Sequence, residues 1–173
     1  MPGETGQNPS VEALIAAGDL AKAEEIAAAA READPGSAEL HHQVGAIRLR
    51  RGDRAGARAA FEEAVRVGGL GRSLNNLGNL ALEDGDLEVA LRFYERVVSS
   101  PTVTETSRMN HARCLLRVGR PAEALAAFER WIEQGEAPSR AILGKAQALR
   151  ALGRGEQARD LLAQAAGARP AGG

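Results

Sequence analysis

Cysteine occurs once in this chain, lysine twice, and aromatic side chains make up only 3% of its 173 residues. The single Cys114 excludes an intramolecular disulfide framework and suits a reducing compartment. So few aromatics leave no base-stacking platform for single-stranded nucleic acid. No charge excess is present either: 22 basic against 23 acidic residues give a formal net charge of -1. A general nucleic-acid binder carries a basic excess, so no nucleic-acid partner is expected. No apolar run approaches the length of a membrane span, and residues Met1 to Ser10 lack the charged start and apolar run of a secretory signal. The expectation is a soluble cytoplasmic protein with no membrane partner. Large apolar side chains are scarce too. Much of the 44% hydrophobic content is alanine, so the core is expected to rest on close helix–helix contacts. All basic residues except Lys22 and Lys145 are arginine, as a GC-rich coding sequence produces. Arginine also offers planar forks that suit carboxylates better than lysine does.

Against these absences stands a period. Gly18, Gly52, Gly85, Gly119 and Gly153 follow one another at spacings of 34, 33, 34 and 34. Five residues after each comes an alanine: Ala23, Ala57, Ala90, Ala124 and Ala158. Ala27, Phe61, Tyr94, Phe128 and Leu162 follow nine residues after the glycines. Such regularity means a repeat array. Helix-period stretches flank each glycine; Leu77, Leu80, Ala81 and Leu82 precede Gly85, and Leu87, Ala90, Leu91, Tyr94 and Val97 follow it. Each glycine is expected to close one helix in the left-handed conformation. Asp19, Asp53 and Asp86 are expected to cap the next helix, with Arg120-Pro121 in that place in the fourth unit. No β-alternation competes.

Helix–turn–helix units of about 34 residues resemble the tetratricopeptide repeat family. Leu77-Gly78, Ala90 and Tyr94 carry the family pattern in the third unit, and Val44-Gly45, Ala57, Phe61 and Ala64 in the second. Ala112, Ala124 and Phe128 carry it in the fourth, Ala146, Ala158, Leu162 and Ala165 in the fifth, and Ala23, Ala27, Ala30 and Asp34-Pro35 in the first. The resemblance implies an all-α, right-handed α-solenoid of about five repeats. The solenoid domain is expected over residues 9–168, with units near 9–37, 38–70, 71–104, 105–138 and 139–168. Residues 1–8 and 169–173 are expected to be disordered. The first helix of the first unit is short, and Gly68-Gly69-Leu70-Gly71, where other units exit through proline, is expected to form a tight turn, with a local bend as the alternative. Trp131 stands where other units have Ala30, Ala64, Val97 or Ala165, and is expected to anchor the local core.

Function follows from the same resemblance, which implies a concave groove lined by the first helix of each pair. The central groove would then hold Asn75, Asn76, Asn79 and Glu83 from the third unit. The fourth would supply Thr106, Met109, Asn110, Arg113 and Arg117; the fifth Arg140, Gln147 and Arg150; the second His42, Ala46, Leu49 and Arg50. Asn76 and Asn110 stand nine residues before their glycines, and an amide that donates and accepts can grip an extended peptide backbone. Arg113, Arg117, Arg140 and Arg150 suit an acidic or C-terminal peptide. Asn79, Asn110 and Arg140 match three sites of the carboxylate clamp of chaperone-binding family members, whereas Asn75 and Gly144 replace basic residues there. The implied role is a protein-binding adaptor, scaffold or chaperone-like module that uses no cofactor or metal. The alternative is self-association through an uncovered C-terminal repeat bearing Ile142, Leu143, Leu149, Leu152, Leu161 and Leu162.

No catalytic constellation is found. His111 and Cys114 lie three apart on one helix, but two ligands do not make a zinc site, and no third group orients them for nucleophilic work. Gly144-Lys145 lacks the upstream glycine of a phosphate loop. An enzyme is therefore not expected.

Overall fold

Each of the five period glycines takes a positive φ, between 75° at Gly153 and 87° at Gly85. All five build the same hydrogen-bonded helix end. Gly18 N–H donates to the Ile15 carbonyl at 3.2 Å, and Asp19 N–H reaches back to Leu14 at 3.0 Å; Gly153 to Arg150 (3.0 Å) and Arg154 to Leu149 (2.9 Å) repeat the pair. These are the paired bonds of a Schellman motif, which satisfy carbonyls that a helix end otherwise leaves bare. A Cβ added at any of the five would meet nothing within 4 Å. Glycine is thus required by its backbone and not by space. Gly119→Ala is expected to cost about 1–2 kcal/mol, with Gly119→Asn costing less, as measured by urea denaturation.

The computed structural model describes residues 10–68, 71–100, 103–134 and 139–167, and within these it holds ten α-helices and no strand. In chain order they are α1 (Val11–Ala17), α2 (Leu20–Ala33), α3 (Ala38–Arg50), α4 (Arg54–Gly68) and α5 (Gly71–Glu83). They continue as α6 (Leu87–Val98), α7 (Glu105–Arg117), α8 (Pro121–Glu133), α9 (Ser139–Ala151) and α10 (Gly155–Gly167). The expected disorder at 1–8 and 169–173 lies outside the described residues, as do residues 69 and 70 of the glycine-rich junction.

Capping follows the sequence in part. Asp19 accepts from Lys22 N–H at 3.3 Å and Asp53 from Gly56 N–H at 2.8 Å. Asp86 departs from expectation: its side chain makes no cap hydrogen bond, and only its backbone carbonyl accepts, from Ala90. Arg120 precedes Pro121 at the first turn of α8 and binds Glu123 through two contacts of 2.6 Å.

Two compact units divide the chain, one up to Leu80 and one from Ala81 onward, so the division falls inside α5. In the first, α1 packs on α2, α2 on α3 and α3 on α4, with α1 also touching α3. Its core gathers Val11, Leu14, Ile15, Ala23, Ala27, Val44, Ile47 and Ala60. His42 also lies inside, 9% exposed, against the Phe61 ring at 5.5 Å, with Nδ1 2.9 Å from the Ser73 hydroxyl. Burial holds its pKa below the ordinary 6.5. The unfolded chain therefore takes up a proton near pH 6.5 that folded His42 refuses, so stability is lost as pH falls from there towards the depressed folded value. Thermal melts between about pH 8 and pH 5 are expected to show a smaller acid loss for His42→Gln than for the wild type.

In the second unit the chain packs α6 on α7, α7 on α8, α8 on α9 and α9 on α10; the first helices α7 and α9 also touch each other. Tyr94, Cys114, Leu115, Phe128, Trp131 and Leu149 form its core with alanines between them. The period explains that economy. Ala23, Ala57, Ala90, Ala124 and Ala158 are all fully buried, so a methyl group is the whole spacer between helices. Phe61, Tyr94 and Phe128, four residues on, are fully buried too.

Candidate functional site

The nine residues singled out for peptide binding all lie on the first helices of pairs. Asn75, Asn76 and Asn79 are on α5, within the first unit, and each is half-buried. Asn110, Arg113 and Arg117 are on α7, and Arg140, Gln147 and Arg150 on α9, all in the second unit. Because α7 and α9 touch, the second unit presents these six from adjoining helices. Asn110 is half-buried; the other five are exposed.

Their charge state is uneven. Arg140 lies 3.9 Å from Glu105 on α7, in a loose exposed pair of the kind that is worth little. Arg113, Arg117 and Arg150 form no ion pair with any described residue. Arg113 and Arg117 are four apart on one helix, a spacing at which like charges repel by about 0.2–0.5 kcal/mol. Both, together with Glu83, lie within electrostatic reach of the Tyr94 hydroxyl, whose pKa is pushed above the ordinary 10 mainly by burial. The second unit thus carries cations on α7, with Arg150 and the neutral amide of Gln147 on the adjoining α9.

The amide row follows a register that the sequence reading used only in part. Nine residues before the turn glycine stand Gln43, Asn76, Asn110 and Gly144. Gln43 was missed, although the same offset from Gly52 finds it. Its Nε2 donates to Glu12 and, at 3.3 Å, to Glu39. At α9 the row stops, and the cause is packing. A Cβ at Gly144 would stand 2.2 Å from Cζ of Phe128, so the ring takes the space a side chain would need. His42, expected on the groove face, is instead buried against Ser73 and Phe61.

Chemistry of other kinds finds little footing. Cys114 is fully buried, its Sγ 3.6 Å from the Leu87 carbonyl, and burial pushes its thiol pKa up, away from the reactive thiolate. No group of three or more His, Cys, Asp or Glu that could hold a metal occurs among the described residues. Among those residues no helix is long and apolar enough to cross a membrane.

Paired helices joined by left-handed glycines, with buried alanine spacers in all five pairs and Phe61, Tyr94 or Phe128 buried in the middle three, define an all-α repeat protein. The tetratricopeptide repeat family model matches residues 45–103 and 109–172, and the chain belongs to that family. Its fold is an all-α solenoid of such repeats. No curated protein matches the sequence. Among solved structures it is similar to MamA (TM-score 0.74, 18% identity, covering 90% of this chain and 85% of the other). It is likewise similar to YrrB, a TPR protein with an unusual peptide-binding site (0.73, 23%, 93% and 84%). PilF of Pseudomonas aeruginosa gives 0.70 at 23% identity, covering 89% of this chain and 72% of the other.

Proposed function

We propose that the chain is a non-enzymatic protein-interaction module whose α7–α9 face binds an extended acidic or C-terminal peptide segment. The observation that carries this reading is the trio Arg113, Arg117 and Arg150, exposed and without a carboxylate partner among the described residues. A helix holding like charges at a spacing where they repel is relieved by an anion laid across them. Asn110 and Gln147 add amides able to donate to a peptide carbonyl and accept from its N–H. On the first unit, and apart from that face, the half-buried Asn75, Asn76 and Asn79 of α5 are proposed as groups able to grip a peptide backbone. Rigid helices preorganise these donors, so little ordering is needed on the protein's side. A peptide-binding neighbour of the same fold, YrrB, is consistent with such a role. The cytoplasm is the proposed location.

The test is capture from a native lysate by wild type and by Arg113→Glu/Arg117→Glu. A protein retained by the wild type and released by the variant supports the reading; equal retention by both removes it.

Self-association is the second reading. Leu143 on α9 is 53% exposed, the large apolar side chain most open to solvent among the described residues. On α10 only Ala158 is buried, with Leu161 and Leu162 half-covered. Mass that rises with concentration in light scattering, and falls for Leu143→Glu, would favour it.

A further inference from the structure

Leu143, 53% exposed, stands among the basic and amide side chains of α9. Arg140, Leu143, Gln147 and Arg150 follow at spacings of three, four and three, the rhythm of a single helix face, and all four are exposed. On α7 the matching stripe is Thr106, Met109, Arg113 and Arg117, of which only Met109 is half-buried. Met109 stands ten residues before Gly119 and Leu143 ten before Gly153; at that offset the first unit has the polar His42 and Asn75. Arg140 at the start of α9 lies 3.9 Å from Glu105 at the start of α7, so the touching helices begin side by side and equal offsets stand at one level. The second unit therefore holds two apolar side chains at one level, with Thr106 and Arg140 one turn before them and Arg113 and Gln147 one turn after.

The charge around this pair is positive but not unopposed. Two acids outside these helices moderate it at the Arg117 end: Glu83 acts with Arg117 on Tyr94, and Glu88 acts with it on Cys114. Glu83 acts there with Arg113 as well. On α9 itself there is no acidic residue, and Glu105 is the only one on α7.

We propose that Met109 and Leu143 seat a large aliphatic side chain of the bound segment, so that the partner of the α7–α9 face is an acidic segment carrying an apolar residue rather than an unbroken run of acids. This rests on the acidic-segment reading above and adds the residues that set its specificity. Only an apolar partner releases the water around an exposed leucine, and the flanking arginines select carboxylates on either side of it. A purely acidic segment leaves Leu143 in water. The same charge argues against a second copy of this chain as the occupant, because self-pairing of the face sets its arginines against one another.

The full chain is titrated, by fluorescence anisotropy, with two labelled and end-blocked hexapeptides. One has leucine at its third position and glutamate elsewhere; the other has alanine in place of the leucine. Both carry the same charge, so the ratio of their affinities reads the apolar contact. The leucine peptide is expected to bind about tenfold more tightly. Leu143→Ala should remove most of that preference and leave the alanine peptide's affinity unchanged, whereas Leu143→Met should keep the preference. Arg113→Glu/Arg117→Glu should weaken both peptides by a similar factor. Met109 and Met1 are the chain's two methionines, so in methyl-13C-labelled protein the Met109 signal should move more with the leucine peptide than with the alanine one. Equal affinities for the two peptides, or a preference that survives Leu143→Ala, would overturn the seat and leave the acidic-segment reading standing. No binding of either peptide at millimolar concentration would remove both. A wild-type mass that rises with concentration and falls for Leu143→Ala would assign the leucine to a second copy, and so overturn the proposal as well.

Discussion

Phe128→Ala is expected to remove about 3–5 kcal/mol of stability, a large share of the roughly 5–15 kcal/mol that holds a domain together. The ring is fully buried and belongs to the second unit's core with Tyr94, Trp131 and Leu149. It also fills the notch at Gly144, where α8 and α9 meet. Alanine would leave a cavity that alanine neighbours are too short to fill, and a rigid helix pair cannot collapse around it. The converse change probes the same contact from the other side. Gly144→Ala drives a methyl into the ring and is expected to cost about 1–3 kcal/mol. In a Phe128→Leu background that added cost should shrink, because a leucine tip does not reach as far as the ring. A double-mutant cycle in urea denaturation measures the coupling. Leu143→Ala, on an exposed side chain of the same helix, serves as the near-neutral control. Additive losses at Phe128 and Gly144 would mean that the notch is not what excludes a side chain there.

Charge reversal at Arg113 and Arg117 should weaken acidic-peptide binding strongly without unfolding the protein. Both side chains are exposed and make no ion pair among the described residues, so little native structure rests on them. Binding changes twice at each site: an attraction disappears and a repulsion replaces it. With exposed charge pairs worth about 0.2–1 kcal/mol each, the double variant should bind labelled hexaglutamate about tenfold to a hundredfold more weakly. Its melting point should stay within about 2 °C of the wild type. Affinity of the wild type should fall as salt rises, and the variant should have lost that dependence.

How much of this was legible in the sequence differs by level. The glycine period gave the helix ends, since only a residue without Cβ takes φ near +80° at no cost. The alanines five residues on showed where helices touch. Side-chain pairing was less legible, because neighbours across two helices depend on rotamers and crossing geometry. Asp53 and Asp86 occupy the same register, yet only Asp53 caps with its side chain. Arg140 and Arg150 read alike as free cations, yet Arg140 has a partner on α7. Gly144 read as a glycine standing where the carboxylate clamp has a basic residue; that it ends the amide row depends on a ring sixteen residues earlier in the chain. That the Trp131 N–H meets no acceptor among the described residues could not be foreseen, because the sequence does not show which acceptors reach a buried donor.

The most direct measurement is a backbone amide shift map of the 15N-labelled chain titrated with hexaglutamate. The account predicts saturable shifts concentrated at Asn110, Arg113, Arg117, Gln147 and Arg150 on α7 and α9. Shifts centred on α6, α8 or α10, or none at millimolar peptide, would contradict it.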